Sequence, residues 1–159
     1  MRHTISILVE NQFGVLARIS GLFSARGYNI DSLCVAETID PSVSRMTVVV
    51  RGDDKVLAQI IKQLNKLVET IEVRDLTLEE HVERELVMIR VAANNKVRSE
   101  IVEIATIFRA KVIDIGKDAI TVEVTGSEGK ITAFIDMMRP FGIQELVRTG
   151  KVAIARAPK

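Results

Sequence analysis

Few residues in this chain have the type and spacing that covalent chemistry needs. A nucleophile requires a neighbouring base and a group that orients that base. The single cysteine, Cys34, sits in Ser32-Leu33-Cys34-Val35-Ala36 and reads as a small, buried or half-buried side chain in mid-strand. His3 and His81 fall at strand or linker edges and read as partly exposed, structural or incidental residues. Glu79, Glu80, Glu83 and Glu85 cluster around His81 and read as a solvated junction rather than a metal site. No His-x-x-x-His or Cys-x-x-Cys spacing occurs. Neither catalytic residues nor metal ligands are therefore expected.

Binding chemistry is better supplied. Asn11-x-x-Gly14-Val15-Leu16 combines an amide that donates and accepts with a glycine that permits positive φ and close backbone approach. The helix expected after it exposes unpaired N–H groups that attract an anion such as a carboxylate. A ligand with both a carboxylate and an ammonium fits such a loop; so does a plain capped helix start with no ligand. A second polar cluster, Gly27-Tyr28-Asn29-Ile30-Asp31-Ser32, leads into an expected edge strand. Exposed edges are usually protected or paired, so self-association through that strand is expected.

The elements that hold these residues follow from periodicity. Ile5, Ile7 and Val9 alternate with Thr4, Ser6 and Leu8, which predicts a strand over residues 3–10. Val15, Leu16, Ile19, Leu22 and Phe23 recur at helical spacing, and Gly27 closes that helix. Strands are predicted over 28–39 and 44–51, with Pro41 in the turn between them. Asp53-Asp54 caps a second helix, and a fourth strand runs from Ile71 to near Leu78. The order β-α-β-β-α-β then recurs: strand from Leu86, helix 96–109, strands 111–116 and 119–125, helix 128–138, and a last strand over 144–155. The fold class expected is α+β, as two ferredoxin-like βαββαβ domains, 1–78 and 79–159.

Composition narrows the function classes. The 159 residues carry a net charge of +1, from 22 Lys and Arg against 21 Asp and Glu. Nothing here matches the clustered positive charge that a nucleic-acid partner demands. Aromatic residues are 4% with no Trp, which disfavours base stacking. No apolar run approaches the ~20 residues of a membrane span, and Glu10 interrupts any signal-like apolar core. A lone cysteine excludes an intrachain disulfide framework, and a reducing cytoplasm is the expected compartment.

Read together, Asn11-Gln12-Phe13-Gly14-Val15-Leu16-Ala17-Arg18-Ile19 and Gly21-Leu22-Phe23-Ser24-Ala25-Arg26-Gly27-Tyr28-Asn29-Ile30-Asp31-Ser32-Leu33 resemble the N-terminal ACT domain of acetolactate (acetohydroxyacid) synthase regulatory small subunits. Ser44-Arg45-Met46-Thr47, Lys62-Gln63-Leu64-Asn65-Lys66-Leu67-Val68, His81-Val82-Glu83-Arg84-Glu85-Leu86 and Gly129-Lys130-Ile131 extend the resemblance over nearly the whole chain. Many ACT loops begin with Asp; here the residue is Asn11, as in the small-subunit type. The resemblance implies a non-catalytic regulator that binds no cofactor itself. Thiamine diphosphate, Mg and FAD would sit on the catalytic large subunit, its partner. It further implies a homodimer through ACT domains and feedback inhibition by valine or a related branched-chain amino acid. Asn11, Gly14, Val15 and Leu16 of one subunit would bind that effector, with Asn29 and Ile30 approaching from the other. A general amino-acid-binding module for another enzyme, or a small ferredoxin-like phosphatase, are the competing classes; the second lacks a convincing nucleophile or base near Arg18.

Overall fold

The computed structural model describes residues 1–158. The chain separates into two compact units, Met1–Val82 together with the segment from Lys151 onward, and Glu83–Gly150. The segment after Gly150 therefore groups with the first unit, although the sequence reading placed it in the second.

In the first unit, β1 (Arg2–Glu10) is central. It pairs antiparallel with β3 (Val43–Arg51) on one side and β4 (Thr70–Asp75) on the other, and β2 (Asn29–Glu37) forms the edge beyond β3. The order is β2-β3-β1-β4, with β2 at the edge as the sequence predicts. Helices α1 (Val15–Ser24) and α2 (Asp54–Leu64) bury Val15, Ile19 and Phe23, and Leu57, Ile60 and Leu64, respectively. These pack on Ile5, Ile7 and Val9 of β1 and on Met46, Val48 and Val50 of β3. Each such side chain, fully buried, contributes roughly 1.5–3 kcal/mol of transfer free energy. Asp53 caps α2 by accepting from the Lys55 N–H at 2.7 Å.

Tyr28 closes the core at the entry to β2. Its hydroxyl donates to the Asp53 carbonyl, and its ring lies over Gly52, where a Cβ would come within 2.1 Å of the ring. Only glycine leaves room for that ring. Burial, followed by the charge of Asp53, holds the Tyr28 phenol above its usual value of 10.0.

The second unit repeats the plan. Its strand order is β6-β7-β5-β8, with β5 (His81–Ala92), β6 (Lys111–Ile115), β7 (Ala119–Gly126) and β8 (Ile143–Arg148) all antiparallel. Helices α3 (Arg98–Ile107) and α4 (Glu128–Met138) cover one face, and Phe108 meets Phe134 edge to face at 5.3 Å. Both units thus have the ferredoxin-like α+β arrangement.

Three local expectations are corrected. The charged stretch read as a linker is already strand from His81 onward. Within it Glu85 is not solvated: it is 6% exposed and accepts two hydrogen bonds from Arg148, at 2.8 and 2.7 Å. Hydrogen bonding to Glu85 raises the Arg148 pKa above its already high value. The last predicted strand is two strands, β8 and β9 (Val152–Ala155), because Gly150 adopts φ 83° and turns the chain. β9 ends with the Arg156 N–H donating to the Glu80 carbonyl at 2.8 Å.

Candidate functional site

The loop after β1 is built from backbone outward. The Asn11 N–H donates to Ser42 O at 2.7 Å, and its side-chain Nδ2 donates to Pro41 O at 2.9 Å. Two bonds therefore hold this residue to the β2–β3 turn. With Nδ2 committed, the remaining strong acceptor of the side chain is Oδ1, which suits an ammonium. Gln12 folds back, its Nε2 donating to the Glu10 carboxylate at 2.9 Å.

Gly14 is the N-cap of α1 at φ 82°, ψ −6°, and no side chain caps this helix. A Cβ on Gly14 would meet nothing within 4 Å, so the constraint here is the backbone angle and the space beyond it is open. The Val15 N–H reaches Gln12 O at 3.4 Å, a long bond, while the Leu16 and Ala17 N–H groups have no intrahelical acceptor. A helix start with open amides attracts a carboxylate. Arg18, one turn on, is paired with Glu69, leaving the amides as the principal groups of the loop that could attract an anion.

The sequence-predicted residues do not all take the same part. Val15 is 3% exposed and belongs to the core, so only its backbone is available. Leu16 is 42% exposed and presents an apolar surface beside the loop. Phe13 was missed: it is fully exposed at the apex of the loop, as is Ile39 in the neighbouring turn. An aromatic inside an Asn-Gln-Phe-Gly turn was the available signal, since a turn has no core to bury it.

Asn29 and Ile30 are elsewhere. Asn29 pairs with Arg51, which pairs with Arg2, and so Asn29 stands at the beginning of β1. The loop follows Glu10, at the other end of the same strand. Eight steps of about 3.4 Å put roughly 27 Å between them. Asn11 and Asn29 of one chain cannot touch the same small ligand. Asn29 is exposed, whereas Ile30 packs partly against the core. A bulge after Ile30 aims Asp31 at Arg51, whose Nε donates to it at 2.7 Å, with Arg2 3.3 Å away.

The comparisons with known proteins speak to the whole chain. Residues 5–72 match the family model of the AHAS small subunit-like ACT domain, and residues 84–157 match that of the small subunit of acetolactate synthase. A protein of Archaeoglobus fulgidus named "Probable acetolactate synthase small subunit" is 58% identical over 100% of this chain and 99% of its own length. The Aquifex aeolicus acetolactate synthase small subunit is 50% identical over 98% of this chain and 81% of its own. The crystal structure of the acetolactate synthase small subunit from Thermotoga maritima superposes with a TM-score of 0.90 at 38% identity, covering 100% of this chain and 99% of that one. With both family models placed in order and full-length relatives at this identity, the chain belongs to the acetolactate synthase small-subunit family, with an ACT domain as its N-terminal unit.

Proposed function

We propose that this chain is the non-catalytic regulatory subunit of an acetolactate synthase, that it activates the catalytic large subunit, and that it makes that enzyme sensitive to valine or a related branched-chain amino acid. The cofactors of the reaction, thiamine diphosphate, Mg and FAD, reside on the large subunit in this reading. The observation that carries the effector site is the uncapped α1 N-terminus at Gly14, with open amides beside an Asn11 side chain left with a free acceptor. The amides take the carboxylate, Asn11 Oδ1 takes the α-ammonium, and Leu16 packs on the branched side chain.

The separation of Asn11 and Asn29 along β1 supports a site completed by a second copy. The exposed edge strand β2 is where such a copy pairs, so that Asn29 and Ile30 of one chain face the loop of the other. A dimer arrangement that aligns the two halves binds valine better than one that does not, and that difference is the source of the allosteric signal. One missing methylene discriminates only modestly, so valine, leucine and isoleucine compete at one site.

The test is acetolactate formation by the cognate large subunit with and without this chain, titrated with valine. The expected result is no activity from this chain alone, a rise in activity on mixing, and inhibition by valine. Binding of valine without activation would assign the chain to a different enzyme.

A further inference from the structure

His3 is the residue whose surroundings differ most from expectation. It continues the inward face of Ile5, Ile7 and Val9 and is 3% exposed, not a partly exposed edge histidine. Neither ring nitrogen has a hydrogen-bond partner. The Asp54 carboxylate stands 3.1 Å from Nε2 but without the alignment of a hydrogen bond. Buried polar groups are nearly always satisfied, and an unsatisfied one calls for a partner.

His3 lines a cavity of about 280 Å³ between the start of β1, α2 and the 3-10 turn at Leu76–Leu78. Leu57 and Ile61 supply apolar wall, and Asp54, Asp75 and Thr77 supply polar atoms. Asp75 spends one oxygen on the Thr77 N–H at 3.0 Å, leaving its other oxygen. The Thr77 hydroxyl already accepts from the Thr4 N–H at 2.9 Å. Among the described residues no three His, Cys, Asp or Glu side chains gather as metal ligands do. A site that is concave, mostly apolar and furnished with a few convergent polar groups is the usual form of a small-molecule pocket.

We propose that this cavity binds a small aliphatic cation, an alkylammonium, with its charged head against Asp54, Asp75 and a ring nitrogen of His3 and its carbon body on Leu57 and Ile61. Two carboxylates decide the sign of charge. One positive group, the Met1 ammonium, belongs to a residue lining the cavity and donates to the Gly52 carbonyl at 3.4 Å, so the two carboxylates still outnumber it, and the α2 N-terminus is already capped by Asp53. A ring nitrogen that carries no proton accepts from an ammonium. The site is separate from the Asn11–Leu16 loop, which lies at the other end of β1, and does not depend on the effector reading.

The probe is isopentylamine, with isovalerate as its isosteric anion, added to the full chain at neutral pH. The chain has two histidines, so NMR resolves the His3 ring protons from those of His81. The amine is expected to shift the His3 resonances saturably and leave His81 in place, and isovalerate is expected to shift neither. Asp54→Asn, at an exposed side chain, should weaken the amine about fivefold, the scale of one screened ion pair. Gly14→Asp should leave amine binding intact. No saturable shift, equal shifts from amine and isovalerate, or unchanged amine affinity in Asp54→Asn would each overturn the proposal.

Discussion

The Asn11 side chain donates to the Pro41 carbonyl at 2.9 Å, which ties the loop after β1 to the turn between β2 and β3. Asn11→Ala removes that tie and the free amide oxygen together. The fold should lose about 1 kcal/mol, the worth of one ordinary hydrogen bond. Valine affinity should fall by about tenfold or more, because a bond to a charged ammonium is worth more than a neutral one. Calorimetric titration beside thermal melting separates the two effects.

Gly14→Asp and Gly14→Ala form a matched pair. Both place a Cβ at φ 82°, a backbone angle costing about 1 kcal/mol for a non-glycine residue. Only Asp adds a carboxylate where the effector's own carboxylate should sit. Gly14→Asp should abolish valine inhibition in the reconstituted holoenzyme while activation persists; Gly14→Ala should retain much of the inhibition. Equal loss in both would assign the effect to the backbone.

Mixing variants tests whether two copies build one site. Asn11→Ala and Asn29→Ala chains should each bind valine poorly alone. Refolded together, they form mixed dimers in which one of the two sites holds both asparagines. Binding recovered in the mixture is the expected outcome; random pairing makes about half of the dimers mixed, each with one intact site of two, so the stoichiometry should lie near a quarter of that of the parent chain.

Tyr28 is the only tyrosine, and the chain has no tryptophan, so tyrosinate absorbance reports this residue alone. Its phenol should ionise above 10 in the folded chain and return to about 10 in denaturant. A raised phenol pKa means the folded state holds the proton more tightly. The linked stability is fully present below the unfolded pKa and fades as pH rises through the folded one. Tyr28→Phe should remove that alkaline dependence and cost about 1 kcal/mol through the lost bond to Asp53.

The Glu85–Arg148 pair is asymmetric: the Glu85 side chain is 6% exposed and that of Arg148 47%. Arg148→Met strands a buried carboxylate and should cost about 3 kcal/mol. Glu85→Gln leaves an arginine that water can still reach, and should cost about 1 kcal/mol. Urea titrations of the two variants should rank them in that order.

Local chemistry made most elements legible. Alternation marked β1, Asp53 announced α2, and Gly27 and Pro41 punctuated the turns, because each acts on its own few residues. Misreadings arose where partners are distant. Glu85 finds Arg148 across 63 positions of sequence, so a glutamate-rich stretch looked like solvated chain. His3 had a local signal that was passed over: its odd position shares the face of Ile5, Ile7 and Val9. Gly150 was likewise visible, but an apolar run on either side hid its turn. In the candidate site, Asn11, Gly14 and Leu16 were readable from the loop itself. That Asn29 stands at the opposite end of β1 emerges only from the register of β1, β3 and β2.

Strands β1 and β2 run in the same direction, each antiparallel to the β3 between them. In the two-copy site proposed above, that orientation would make a solitary chain deaf to its effector: it would carry a left half and a right half that never meet. Responsiveness then scales with pairing, and diluting the protein below its self-association constant should silence valine before it silences folding.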